Sequence, residues 1–254
     1  YISVRYLLKA DMLKLNSWKI DWELSKTTFR IGIPAGLQQT LVSLSIIAVS
    51  SIVNRYGADV VAGFGAATRI EQFAFMPAMS VGLAVSALVG QNLGAGRDDR
   101  VANVVLWSSL LGGGITGIVS VIVYNFPWPL LGLFTTDQAV LSHGAEYLRI
   151  LAWAYIPFAL MFTLGGVMRG AGDTTAAMLI TLGSLWFVRV PLAWYLSEVA
   201  GMGVQGVWWA MVISPVAGSL LNYAYYRTGR WKRKVVARAA GHPPGEPQLS
   251  TGEV

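Results

Sequence analysis

The sequence predicts an all-α integral membrane protein, a bundle of six transmembrane helices, and three observations carry that reading. The chain of 254 residues is 54% apolar and 13% charged, with a mean hydropathy of +0.53, which is too apolar for a soluble domain of this size. Between Glu71 and Arg97 there is no charged side chain, and about 20 apolar residues suffice to cross a hydrocarbon core of roughly 30 Å. Most of the charges that remain, from 19 Lys and Arg and 13 Asp and Glu, lie between the apolar runs. That placement points to membrane topology and away from a nucleic-acid partner.

Taken in order, residues 1–30 read as a cytoplasmic basic linker or interfacial segment, with Arg5, Lys9, Lys14, Lys19, Lys26 and Arg30 among Leu13, Trp18 and Trp22. The chain begins at Tyr1 with no signal-peptide pattern, as a piece of a longer protein would. Residues 31–228 hold the six spans. The first, about 31–54, carries Gln39, Ser43, Ser50 and Asn54 within one sector at 100° per residue. Such a polar stripe must face protein or water in a membrane. The second, about 65–89, contains Pro77, and the third, about 101–124, contains Gly112, Gly113, Gly114 and Gly117. A loop over 125–144 then leads to the fourth span at about 146–168 with Pro157, the fifth at 175–197 with Arg189 and Pro191, and the sixth at 204–226 with Pro215. Gly32 with Gly36, Gly113 with Gly117 and Gly166 with Gly170 are small-residue pairs at the spacing that lets helices approach closely.

Basic residues concentrate in 1–30, the 94–100 turn, the 169–174 turn and the cluster RTGRWKRK at 227–234, which places both termini in the cytoplasm. Residues 229–254 read as a basic anchor with affinity for anionic lipid, followed by a disordered tail.

An enzyme reading finds no support. No phosphate-binding glycine loop, HExxH or GxSxG occurs. Zero cysteines and two histidines leave no thiolate metal site and little for zinc, so no cofactor and no metal are expected. The candidates are polar groups at membrane depth. Gln38, Gln39 and Ser43 are the first choices for lining a substrate cavity, with Glu71 behind them as a carboxylate that either binds a cation or proton or stands with Arg69 as an interfacial pair at the outer end of its span. Arg189 is expected to snorkel or to pair with Glu146 or Glu198. Phe73, Phe75, Trp153, Tyr155, Phe158 and Phe162 are either pocket aromatics for flat cations or packing residues.

Two turns are more distinctive. GQNLGAGRDD at 90–99 and MRGAGDTT at 168–175 each place glycines and then an aspartate at a helix exit, so that Gly94, Gly96, Gly170 and Gly172 permit tight caps beside Arg169, and Asp173 caps the next helix. With PAGLQQ at 34–39, VGQNLGAGR at 89–97 and GVMRGAGDT at 166–174, the chain resembles the second lobe of the multidrug and toxic compound extrusion (MATE) family over roughly residues 12–232. The resemblance implies one lobe of a twelve-helix transporter of the bacterial inner membrane, the N-terminal lobe lying outside this sequence. It implies export of organic cations or amphiphilic drugs in exchange for H⁺ or Na⁺ by alternating access. Val42 and Phe158 stand where the Na⁺-coupled NorM-type branch carries carboxylates, so the chain looks more like the DinF-type branch, whose coupling carboxylate is in the other lobe. A lipid-linked-precursor flippase and a non-transporting scaffold subunit are the alternatives. The flippase would require a more cationic cavity than Arg69 and Arg189 supply, and a half-size transporter working as a homodimer is a further arrangement.

Overall fold

The computed structural model describes residues 22–234, and these are almost wholly helical. The expected linker at 1–21 and the tail at 235–254 lie outside the described residues. Within them six helices are long and apolar enough to cross a bilayer: Ser25–Tyr56, Ala58–Gly94, Asp98–Asn125, Gln138–Gly170, Thr174–Val199 and Val204–Arg227, referred to below as the first to sixth spans.

The expected loop over 125–144 is mostly helical. Pro127 opens a short helix, Pro127–Leu131, because its fixed φ suits a first helical position where no N–H is required. Asp137 then starts the fourth span early: its carboxylate accepts from the N–H groups of Ala139 at 2.8 Å and Val140 at 3.4 Å, which satisfies two donors that a helix start leaves open.

The second and fourth spans form the frame. They run in the same direction, and along their length the contact between them is made by glycine. A Cβ at Gly63 would lie 2.8 Å from the carbonyl of Val140, one at Gly82 2.8 Å from the carbonyl of Phe162, and one at Gly90 3.3 Å from the carbonyl of Gly170. From the other side, Cβ atoms at Gly166 and Gly170 would run into the carbonyls of Gly82 and Ser86. Backbone meets backbone here, as small-residue packing in lipid allows. Of the three glycine pairs read from the sequence, only Gly166 with Gly170 works this way. Gly32, Gly36 and Gly113 have nothing within 4 Å of where a side chain would begin.

The third and sixth spans flank the fourth, the fifth packs on the sixth, and the first packs mainly on the fifth. Trp186 donates to the carbonyl of Leu41 at 3.2 Å and Gln38 to the hydroxyl of Thr181 at 2.7 Å, which fastens that outermost seam.

Proline breaks the regular winding in two of the spans. A 3₁₀ turn at Ala152–Ala154 interrupts the fourth just before Pro157, and Ser120 of the third span donates to the carbonyl of Ala152 at 2.7 Å. The fifth widens into π-helix at Gly183–Arg189, immediately ahead of Pro191, and again at Tyr195–Val199. A proline cannot donate to the carbonyl four residues back and its ring crowds that group, so the turn opens.

Candidate functional site

Glu71 is where the structure departs furthest from the interfacial placement considered above. The second span has 37 residues, Ala58–Gly94, about 55 Å at 1.5 Å per residue, which is longer than a hydrocarbon core of roughly 30 Å. Glu71 stands thirteen residues inside its start, about 20 Å along and so well away from the end of the helix. Its neighbour Arg69 does not pair with it: Arg69 is exposed, with its guanidinium 6.0 Å from the ring of Phe134.

Four spans meet around this carboxylate. Tyr147 of the fourth span donates its hydroxyl to Glu71 Oε2 at 2.5 Å. Arg189 of the fifth lies within electrostatic reach of both groups and donates from Nε to Ser214 Oγ of the sixth at 2.8 Å. Arg189 is only 6% exposed, and Tyr147, Tyr155 and Ser214 are fully buried. The guanidinium therefore neither snorkels nor pairs with Glu146 or Glu198. Glu146 accepts from Gln205, and Glu198 pairs with Arg55 at 3.4 Å. A buried arginine requires compensation, and Arg189, at the end of the widened π turn, has it from the Ser214 hydroxyl and from the charge of Glu71.

An aromatic wall surrounds the pair. Trp208 stacks on Phe64 at 5.3 Å and meets Tyr147 edge-on at 4.7 Å. One helical turn further, Phe75 packs on Tyr155 at 5.1 Å and on Phe158 at 4.4 Å, and Phe158 leads to Phe162 at 6.3 Å. Four of the six aromatics singled out in the sequence thus form one row. Phe73 and Trp153 face outward, Trp153 touching only Tyr124 among aromatic partners of the described residues. Among those residues, the buried Tyr155 hydroxyl and Trp208 indole N–H have no hydrogen-bond partner, although Tyr155 is within electrostatic reach of Glu71.

The first-span candidates divide. Gln38 is tied to Thr181 and so joins helices, whereas Gln39 and Ser43 are exposed on the first span. The glycine turns share one geometry. Gly96 and Gly172 have φ of +69° and +81°, and the N–H groups of Arg97 and Asp173 close back on the carbonyls of Asn92 and Met168, each at 2.8 Å. A side chain would be strained at both glycines. Asp173 caps the fifth span through Ala176 N–H at 3.4 Å and accepts from the Tyr225 hydroxyl at 2.5 Å. Arg169 lies along its own helix, its guanidinium 3.5 Å from the carbonyl of Phe162.

Comparison with known proteins places this arrangement. The MatE family model matches residues 34–195, more than half of the chain. The chain belongs to the MatE family. This MatE chain is 34% identical over 92% of its length to a probable multidrug resistance protein, YoeA, of Bacillus subtilis, of which it covers 50%. It is 27% identical over 85% of its length to a probable multidrug resistance protein, NorM, of Thermotoga maritima, of which it covers 46%. It spans about half the length of the curated relatives it matches. Among solved structures, the outward-facing conformation of a multidrug resistance MATE family transporter of the MOP superfamily superposes with a TM-score of 0.79 at 19% identity, over 89% of this chain and 50% of that one. The MATE transporter ClbM in complex with Rb⁺ gives 0.76 at 24% identity, over 85% and 51%. The six-helix bundle thus has the fold of about half of a MATE transporter.

Proposed function

We propose that this lobe works within a secondary active antiporter that exports organic cations or amphiphilic compounds in exchange for H⁺ or Na⁺, with both termini in the cytoplasm and a second lobe completing the cavity. The observation that supports the reading is the carboxylate of Glu71 at membrane depth, held by Tyr147 and faced by Arg189. An ionisable group so placed is costly to keep and marks an ion pathway by default. Adding a proton or a cation to Glu71 changes the charge that Arg189 faces, and because the cluster joins the second, fourth, fifth and sixth spans, that change biases how the fifth and sixth sit on the frame. Rigid-body rocking of two lobes about a shared site needs no covalent chemistry. The principal coupling carboxylate implied by the family resemblance belongs to the other lobe, with Glu71 as this lobe's own responder. Gln39 and Ser43 remain the candidates for lining the cavity. The flippase alternative loses weight, since Arg189 is engaged by Ser214 and faces an acid.

The test is ion-driven efflux of a cationic dye from proteoliposomes containing the intact two-lobe protein. Glu71→Gln is expected to retain insertion and dye binding and to blunt the response to an imposed ion gradient. Wild-type dependence on the gradient in that variant would reduce Glu71 to a packing residue. Absence of ion-dependent efflux by the wild-type protein would favour the scaffold alternative.

A further inference from the structure

The face built by the third, fourth and sixth spans carries a groove that the transport reading does not use. Its volume is about 430 Å³; its floor is Leu160 and Leu164 of the fourth span, and its walls are Val105 and Leu106 of the third and Leu220 and Tyr223 of the sixth. Three helices fix its depth. Ala102 lies four residues inside the start of the third span, Tyr226 one residue before the end of the sixth, and Leu164 six residues before the end of the fourth, so the groove occupies the first 5–15 Å or so from the glycine-turn end. From Leu106 to Ile122 the third span's exposed face is apolar, with Leu106, Trp107, Leu110, Leu111, Ile118 and Val121, unlike the first span with its polar stripe. An apolar face of this kind suits contact with lipid.

One cation is fixed at the mouth. Arg227, the last residue of the sixth span, donates from Nη1 to the Tyr223 hydroxyl at 3.0 Å and holds its guanidinium 5.8 Å from the same ring. Tyr223 therefore belongs to both the apolar wall and the charged rim. Arg97, Arg100, Arg230 and Lys232 are exposed at the same end. Of the acids there, Asp99 is bridged by Arg97 at 3.7 Å and Asp173 is engaged by Tyr225 and Ala176. Asp98, in the first turn of the third span, is half-buried.

We propose that this groove is a binding site for one anionic phospholipid of the leaflet at the glycine-turn end, an acyl chain lying on Leu160 and Leu164 and the headgroup phosphate on Arg227. The apolar walls supply the burial and the guanidinium supplies the charge selectivity, since a planar fork matches phosphate oxygens. A zwitterionic lipid fills the groove equally well and adds a compensating cation at the rim, so it binds less tightly.

The experiment uses the intact protein in a neutral detergent, with phosphatidylglycerol or phosphatidylcholine of identical acyl chains added, and reads bound lipid by native mass spectrometry together with the melting temperature. Phosphatidylglycerol is expected to be retained and to raise the melting temperature, phosphatidylcholine to do neither to the same extent, and glycerol phosphate without chains to do nothing. Arg227→Gln should weaken phosphatidylglycerol retention about fivefold, the equivalent of about 1 kcal/mol for one basic residue at a membrane surface, with the melting temperature in phosphatidylcholine unchanged. Ala102→Phe, which fills the groove from the third span, should remove retention of both lipids. Equal retention of the two lipids, or equal losses from Arg227→Gln and Arg100→Gln, would overturn the site and leave only general surface attraction.

Discussion

Replacing Gly166 with alanine tests the frame directly. The added Cβ would run into the carbonyl of Gly82 and lie 3.2 Å from the Cβ of Val85. The first is backbone in a second helix, so no side-chain rotation relieves the contact and the two spans must part. Overpacking of this kind costs about 1–3 kcal/mol, while alanine's better helix propensity returns no more than about 1 kcal/mol. For a cooperative unit of 150–250 residues each kcal/mol moves the melting temperature by about 2–4 °C. Gly166→Ala should therefore lower it by up to roughly 10 °C, read by dye-monitored unfolding of the detergent-solubilised protein. Gly113→Ala is the matched control, because nothing lies within 4 Å of its would-be Cβ; it should leave the melting temperature unchanged or raise it. If the two variants melt together, the second and fourth spans are not held at backbone distance and the description of the frame is wrong.

Other outcomes follow from the same contacts. Arg189→Met leaves Glu71 without its facing charge and should cost more stability than Ser214→Ala, which removes one hydrogen bond to a charged group worth about 1.5–3 kcal/mol; equal losses in urea titration would mean that Arg189 does not compensate Glu71. Asp173→Ala removes both the cap of the fifth span and the acceptor for Tyr225, and a loss of about 1–2 kcal/mol is expected, with Asp173→Asn keeping part of the cap; amide exchange over 174–182 reports it. Trp231→Ala removes the largest side chain of the buried cluster that also holds Val85, Val89 and Val167 and should cost about 3–5 kcal/mol, seen as a lower melting temperature. Gln39→Leu should alter the range of dyes exported with insertion intact, and unchanged efflux of every dye would assign the stripe to helix packing.

Hydropathy alone revealed the six spans, because a long apolar run with few charges is a one-dimensional signal that survives any arrangement of neighbours. The glycine turns were legible for a similar reason: a GAG followed by a charged residue is a local conformation written in consecutive positions. The centre of the site was not. Glu71 and Tyr147 are 76 residues apart in sequence, and no periodicity in either span announces the other. Arg189 was visible as a charge in a span, but its direction depends on the π turn ending there, which shifts its side chain relative to a straight α-helix. Trp231 was hidden inside a cluster that reads as an anchor; its basic neighbour Lys232 is exposed while the indole is buried beside Tyr226, 5.6 Å away. Net charge describes that segment's surface and says nothing of its one large apolar residue.

The backbone contact between the second and fourth spans also sets what this architecture can tolerate over time. A seam filled by side chains drifts by exchanging one bulk for another, each partner adjusting to the next. A seam closed at Gly82, Gly90, Gly166 and Gly170 has no bulk to exchange, so it acts as a ruler of fixed length inside a changing molecule. The outer seam between the first and fifth spans is built the other way, with a glutamine, a threonine and an indole doing the joining, so a change of side chain there can be met by a change in its neighbour.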